Sequence, residues 1–277
     1  MLFPVLIILS GVMVWCMTGR LTASQFQLWH AIRKKQFSPY LQPIVSGVSG
    51  KLTGAEVLVR WNHPQKGVLA PMNFIELAEK SGLIIPITRE LMLQVSKYYS
   101  HQANKLPRDF YFAFNISACH FSDSSLIDDC RVFLKTFGMQ RIKLVLEITE
   151  HELLVNNKVT AQVIRELHGL GVLIALDDFG TGYSTLSYLK DFPVDILKIE
   201  KQFISTINNN ARSCHIIDNI LDLSRRLNIV VVAEGIETEA QYDYLKKRNL
   251  HYLQGYLFGK PEGMDLFSHH WLNGRTH

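Results

Sequence analysis

Acidic and amide side chains recur at one kind of position in this chain, in or at the ends of short apolar runs. Glu56 lies within such a run, Asn115 closes FYFAFN, Glu147 closes KLVLE, Asp177 and Asp178 close VLIALDD, Glu234 closes VVVAE and Lys198 closes DILK. If the runs are strands of one barrel, these residues meet at a single opening although they are far apart in the chain. The five carboxylates of that set would repel one another and raise their own pKa values unless divalent cations neutralised them. Oxygen donors favour hard ions such as Mg2+ or Mn2+ over zinc, and adjacent Asp177 and Asp178 offer one ligand to bridge two ions and one to hold the second. Taken alone, each acid reads as a helix N-cap or a rim ion pair; only their joint placement points to metal. The segment Asp178 to Ser184, DFGTGYS, invites a nucleotide-loop reading, but it has neither G-x-x-x-x-G-K nor G-x-G-x-x-G spacing. Gly180 and Gly182 are expected instead to shape a tight turn beside the metals.

The elements that must position these residues follow from the rhythm of apolar runs at about 39–46, 54–60, 110–116, 142–148, 172–178, 194–199, 229–234 and 251–256. Runs such as VLIAL and IVVVA are apolar on both faces, as parallel strands covered by helices are. Amphipathic stretches separate most of them, at the roughly 30-residue spacing of a βα unit, which predicts one (β/α)8 barrel over residues 38–273. The first two runs are too close for a helix between them, so they form a hairpin and one strand of the pair runs antiparallel to the rest. Pro71 and Pro86 are expected to open helices, and Gly138, Gly169 and Gly171 to mark helix exits.

The composition of the 277 residues, 47% hydrophobic and 19% charged, excludes a disordered or collagen-like chain. A net charge of +4 is too small to argue nucleic-acid binding. The cysteines Cys16, Cys119, Cys130 and Cys214 lack C-x-x-C spacing and read as reduced, mostly packed thiols. Leu2 to Thr18 carry no charge, which predicts a transmembrane helix over 1–18 in preference to a cleaved signal peptide. Arg20, Arg33, Lys34 and Lys35 follow in a basic linker helix over 19–37, which keeps the barrel on the cytoplasmic side of the inner membrane, close to anionic headgroups. Asn115-Ile116-Ser117 has the form of a glycosylation acceptor, which has no meaning on that side.

Glu56-Val57-Leu58-Val59-Arg60-Trp61 resembles the E-A-L-L-R-W motif of the EAL-domain cyclic di-GMP phosphodiesterases. In order there follow Asn115-Ile116-Ser117, Leu146-Glu147-Ile148-Thr149-Glu150, DDFGTGYSTL from Asp177, Leu197-Lys198-Ile199, Glu234-Gly235-Ile236-Glu237-Thr238 and Gln254-Gly255-Tyr256, with Gln42-Pro43-Ile44-Val45 ahead of them all. The resemblance covers about 38–265 and implies a modified TIM barrel with an antiparallel first strand, usually dimeric. It implies that Glu56, Asn115, Glu147 and Asp177 hold one metal and that Asp177, Asp178 and Glu234 hold a second, with Lys198 holding the attacking water. Gln42, Arg60 and Gln254 then face the substrate, and Glu237 stabilises the loop after the Asp177–Asp178 strand. The implied reaction opens cyclic di-GMP to linear pGpG by two-metal chemistry, with no DNA or RNA polymer as partner. Two positions depart from the family: Val57 replaces the alanine of E-A-L, and Glu200 stands where L-K-I-D has aspartate, near Lys198 and the same loop. The competing expectations are a receptor that binds the dinucleotide without cleaving it and a structural scaffold that binds neither metal nor nucleotide.

Overall fold

The computed structural model describes residues 22–138, 142–149, 157–179, 192–207 and 211–273. The apolar run over 2–18 and the turn expected at Gly180 and Gly182 lie outside them. Among the described residues no helix is long and apolar enough to cross a membrane.

Helix α1 (Ala23–Arg33) starts at a capping box in which Thr22 and Gln25 bond each other's backbone, and it buries Leu28 and Ala31 in the main core. It leads into β1 (Phe37–Ser46), which folds back on β2 (Leu52–His63) as an antiparallel hairpin with Gln42 opposite Glu56. Pairing with β1 extends β2 beyond the apolar run 54–60 at both ends. Strand β3 (Gly67–Leu69) lies on the far end of β2. Pro71 opens a 3-10 turn rather than an α-helix; α2 (Ile75–Lys80) and α3 (Ile84–Ser100) follow, and Pro86 sits inside the first turn of α3, where its missing N–H costs nothing.

The chain then alternates as the spacing predicts: β4 (Phe110–Asn115), α4 (Ala118–Phe121), α5 (Ser125–Phe137), β5 (Ile142–Thr149), α6 (Asn157–Gly169), β6 (Leu173–Phe179), β7 (Ile196–Ile199), α7 (Lys201–Ser205), α8 (Ala211–Leu227), β8 (Val230–Ala233), α9 (Glu239–Lys246), β9 (Tyr252–Gln254), β10 (Glu262–Gly263) and α10 (Met264–Trp271). Strands β2 and β4 to β9 pair in parallel in that order, and β1 closes the ring between β9 and β2, antiparallel to both. The result is an eight-stranded barrel with one reversed strand; β3 and β10 are short additions to β2 and β1.

Period-two alternation divides each strand between two cores. In β4, Phe110, Phe112 and Phe114 turn outward, where Phe114 meets Phe133 of α5 edge to face at 5.4 Å between ring centroids. The other face turns inward and packs the barrel interior with Ile44, Tyr111, Ala113, Val145, Ala175, Ile196 and Val232. Two residues further along each inward row lie Gln42, Glu56, Asn115, Glu147, Asp177, Lys198, Glu234 and Gln254. The polar residues converge because they continue the inward-facing rows of the apolar plug to the C-terminal ends of the parallel strands.

Candidate active site

Above the apolar plug these side chains form one connected network. Glu56, buried on β2, accepts hydrogen bonds from Asn115 Nδ2 at 2.8 Å and Gln254 Nε2 at 2.6 Å. Gln254 also donates to Gln42 Oε1 at 3.2 Å, and Gln42 Nε2 donates to the carbonyl of Gly259 at 3.3 Å. On the other side Lys198 donates to Glu147 Oε2 at 2.7 Å and lies 3.4 Å from Asp177 Oδ1 and 2.6 Å from Glu234 Oε1. The pairing of β6 with β7 slips between Leu176 and Phe179, and this bulge sets the direction of the two aspartates. Asp178 adopts a left-handed backbone (φ 56°) that few non-glycine residues take, and its N–H donates to Asp177 Oδ1 at 3.0 Å.

The charges are unevenly balanced. Four carboxylates, Glu56, Glu147, Asp177 and Glu234, surround the single ammonium of Lys198, whose side chain is 2% exposed. Burial pushes the Glu147 carboxyl well above its usual range, and repulsion from Glu56, Asp177 and Glu234 adds to the rise, against the pull of Lys198. Burial likewise lifts Glu234 to about 8. Burial would raise Glu56 too, but Lys198 and the hydrogen bonds from Gln254 and Asn115 outweigh it and hold that carboxyl below its usual value. For Lys198 burial opposes the charge, yet the surrounding acids prevail and its pKa rises. One lysine does not neutralise this set.

A cleft of about 530 Å³ opens beside Glu56, Asn115 and Glu147 and runs on between apolar side chains of β2, α2 and α3, among them Leu58, Ile75 and Leu91. The cleft is acidic and polar where it meets the mouth and apolar beyond it.

The EAL domain family matches residues 26–261. The chain belongs to that family. Over 234 residues it is 45% identical to the probable cyclic di-GMP phosphodiesterase PdeG of Escherichia coli K12, covering 84% of this chain and 46% of that protein. It is 40% identical over 242 residues to the cyclic di-GMP phosphodiesterase PdeL of the same organism, covering 87% of this chain and 67% of that one. Among solved structures, the PaMucR phosphodiesterase in complex with c-di-GMP superposes with a TM-score of 0.78 at 35% identity, covering 87% of this chain and 99% of that one. The chain thus spans about half the length of PdeG and two thirds of PdeL.

The phosphodiesterases of the EAL family depend on divalent metal. In this EAL barrel the oxygen-only donor set and its uncompensated negative charge fit hard cations. Among the described residues no three His, Cys, Asp or Glu side chains surround one metal-sized position, and the Lys198 ammonium stands between Glu147, Asp177 and Glu234.

Of the residues singled out from sequence, Gln42, Glu56, Asn115, Glu147, Asp177, Lys198, Glu234 and Gln254 meet in the mouth, with Asp178 beside Asp177. Arg60 lies further along β2, its guanidinium 5.3 Å from the centre of the Tyr40 ring. Glu237 and Glu200 do not touch the network: Glu237 accepts from Lys201 Nζ at 2.5 Å, and Glu200 accepts from Gln202 Nε2 at 2.5 Å. The loop that Glu237 was expected to stabilise lies largely outside the described residues. Tyr111 went unnoticed in the sequence because FYFAFN reads as apolar throughout; only the alternation that sends Asn115 inward also sends Tyr111 there.

Proposed function

We propose that this EAL barrel hydrolyses cyclic di-GMP to linear pGpG. The observation that carries the reading is the convergence of Glu56, Asn115, Glu147, Asp177 and Glu234 around Lys198 at one opening, in a chain similar to enzymes named for this reaction. Water attacks phosphorus in line with the departing 3′ oxygen; the new P–O bond forms as the P–O3′ bond breaks, the water gives up one proton and the freed oxygen takes one up, so none is consumed overall. Divalent cations, Mg2+ or Mn2+, held by Glu56, Asn115, Glu147 and Asp177 and by Asp177, Asp178 and Glu234, would acidify the attacking water and offset phosphate charge. Lys198, whose proton is held tightly by its acid neighbours, serves as a fixed positive charge and donor to the water rather than as a base. Gln254 and Asn115 keep both oxygens of Glu56 in place. Gln42 and Arg60 are assigned to the substrate, Glu237 and Glu200 to the surrounding loops.

The uncharged run over 2–18 and the basic residues after it support a single-pass anchor in the inner membrane with the barrel in the cytoplasm, acting as a homodimer as the family resemblance implies. Release of pGpG by the purified full chain, with Mg2+, with Mn2+ and with chelator, tests the activity. Substrate binding without pGpG in either metal would replace the hydrolase by a receptor.

A further inference from the structure

Among the described residues, few buried side-chain polar atoms lack a hydrogen-bond partner, and two of them, Tyr111 Oη and Gln254 Oε1, belong to the barrel interior. Both residues are less than 5% exposed. The Tyr111 ring lies 5.2 Å from that of Tyr252, which precedes Gln254 by two residues on the same inward row of β9. Its other neighbour is Gly54, where a Cβ would stand 2.7 Å from the ring, so the glycine is what admits a tyrosine on the barrel axis. The two orphan atoms are complementary. A phenol hydroxyl can donate and an amide oxygen can only accept, and neither bonds the other directly.

We propose that one ordered water sits between Tyr111 Oη and Gln254 Oε1, and that through it Tyr111 is a positioning residue for Glu56. The water accepts from the phenol and donates to the amide oxygen, meeting the needs of both groups. That reinforces the way the Gln254 amide faces: with Oε1 turned to the water, Nε2 points at Glu56 Oε2, where the 2.6 Å bond is made, and at Gln42 Oε1. The reverse orientation would set an amide oxygen against a carboxylate. A phenylalanine at 111 keeps the ring and its packing but leaves the water a single partner, so Gln254 keeps its Nε2 bonds but loses the contact on Oε1, and its hold on Glu56 loosens. Tyr111 touches neither substrate nor metal ligand in this scheme; it acts two bonds away.

The inference rests on the reading of the mouth as a cation-dependent site, and the experiment separates the two. A structure of the wild-type chain that resolves ordered water should show a peak within hydrogen-bond distance of Tyr111 Oη and Gln254 Oε1. In Tyr111→Phe the Mn2+ dissociation constant, measured by calorimetry without substrate, should rise about 3–10-fold. The kcat should fall to match while KM stays within about twofold and the thermal midpoint does not drop, a pattern that a purely structural tyrosine would not give. No water peak at that position, or unchanged Mn2+ binding in Tyr111→Phe, overturns the proposal. If the wild-type chain binds no Mn2+, the metal reading of the mouth fails, and the water peak alone decides the seat.

Discussion

Lys198 and Glu147 form a buried ion pair at 2.7 Å, with both side chains 3% exposed or less. Such a pair contributes little net stability when intact, but removing one partner leaves the other charge buried alone. Lys198→Met should therefore lower the unfolding free energy by about 3–5 kcal/mol at neutral pH in the absence of divalent metal. The deficit should shrink as pH falls from neutral toward the ordinary carboxylate range, because Glu147, held well above that range in the folded chain, takes up its proton before the unfolded chain does. Denaturant titrations of both proteins at several pH values measure it; a variant as stable as wild type at pH 7 would show that other groups neutralise Glu147.

Glu56→Ala and Asp177→Ala each remove a carboxylate from the mouth without touching the apolar plug below it. Both should cut pGpG release about 100-fold or more while the far-ultraviolet circular dichroism spectrum stays that of wild type. Retained turnover in both would refute the assignment of the site.

Glu200 occupies the N-cap of α7 but makes no capping bond, its carboxylate reaching instead to Gln202. Aspartate is among the best N-cap residues because its shorter side chain reaches the free N–H groups of the first turn, an effect of about 1 kcal/mol. Glu200→Asp should therefore show equal or higher activity together with a higher thermal midpoint. A large loss of turnover would mark the glutamate as an adaptation of this chain.

His120 lies buried behind the mouth in α4, where its Nδ1 accepts from the Ser117 N–H at 3.1 Å. Burial holds its pKa below the usual histidine value, against the smaller opposing pull of the Ser117 carbonyl and nearby aspartates. The unfolded chain then takes up a proton that the folded one refuses, so this contribution is complete above about pH 6.5 and is lost as pH falls toward the lower folded value. His120→Gln should flatten the stability profile as pH falls below about 6.5. An equally steep decline in the variant would assign that slope to other groups.

How much of this was legible in the sequence depends on the kind of force involved. Parallel buried strands advertise themselves as apolar runs, so the eight strands and the reversed first hairpin could be read directly, and the acids at their ends followed from the alternation. What the letters do not carry is the partner of each polar group. Glu237 pairs with Lys201, and Glu56 is held by Gln254 from nearly two hundred residues away, because a barrel brings together strands that no local pattern links. Proline positions were less informative, since Pro71 suits a 3-10 turn as well as a helix start. Helix α1 shows the same limit: its basic end reads as a linker, while Leu28 and Ala31 are wholly buried in the barrel's outer core.

Gly235 follows Glu234 directly and takes the left-handed backbone at φ +67, and a Cβ there would stand 2.3 Å from Lys201 Cγ. An alanine meets two obstacles, the backbone strain, about 1–2 kcal/mol for a side chain in that region, and the stem of Lys201, which must leave its bond to Glu237. The adjoining Glu234 N–H donates to the Ile199 carbonyl at 3.0 Å, so any backbone shift at 235 is passed to the residue beside Lys198. Gly67 has the same left-handed backbone, φ +72, but nothing within 4 Å of an added Cβ, and it lies at the start of β3, away from the mouth. Gly67→Ala therefore measures the backbone strain by itself. Gly235→Ala should cost more stability than Gly67→Ala and should lower turnover, whereas Gly67→Ala leaves turnover unchanged. Equal stability losses and intact turnover in both variants would mean that Lys201 swings away freely and that Glu234 does not depend on the turn that follows it.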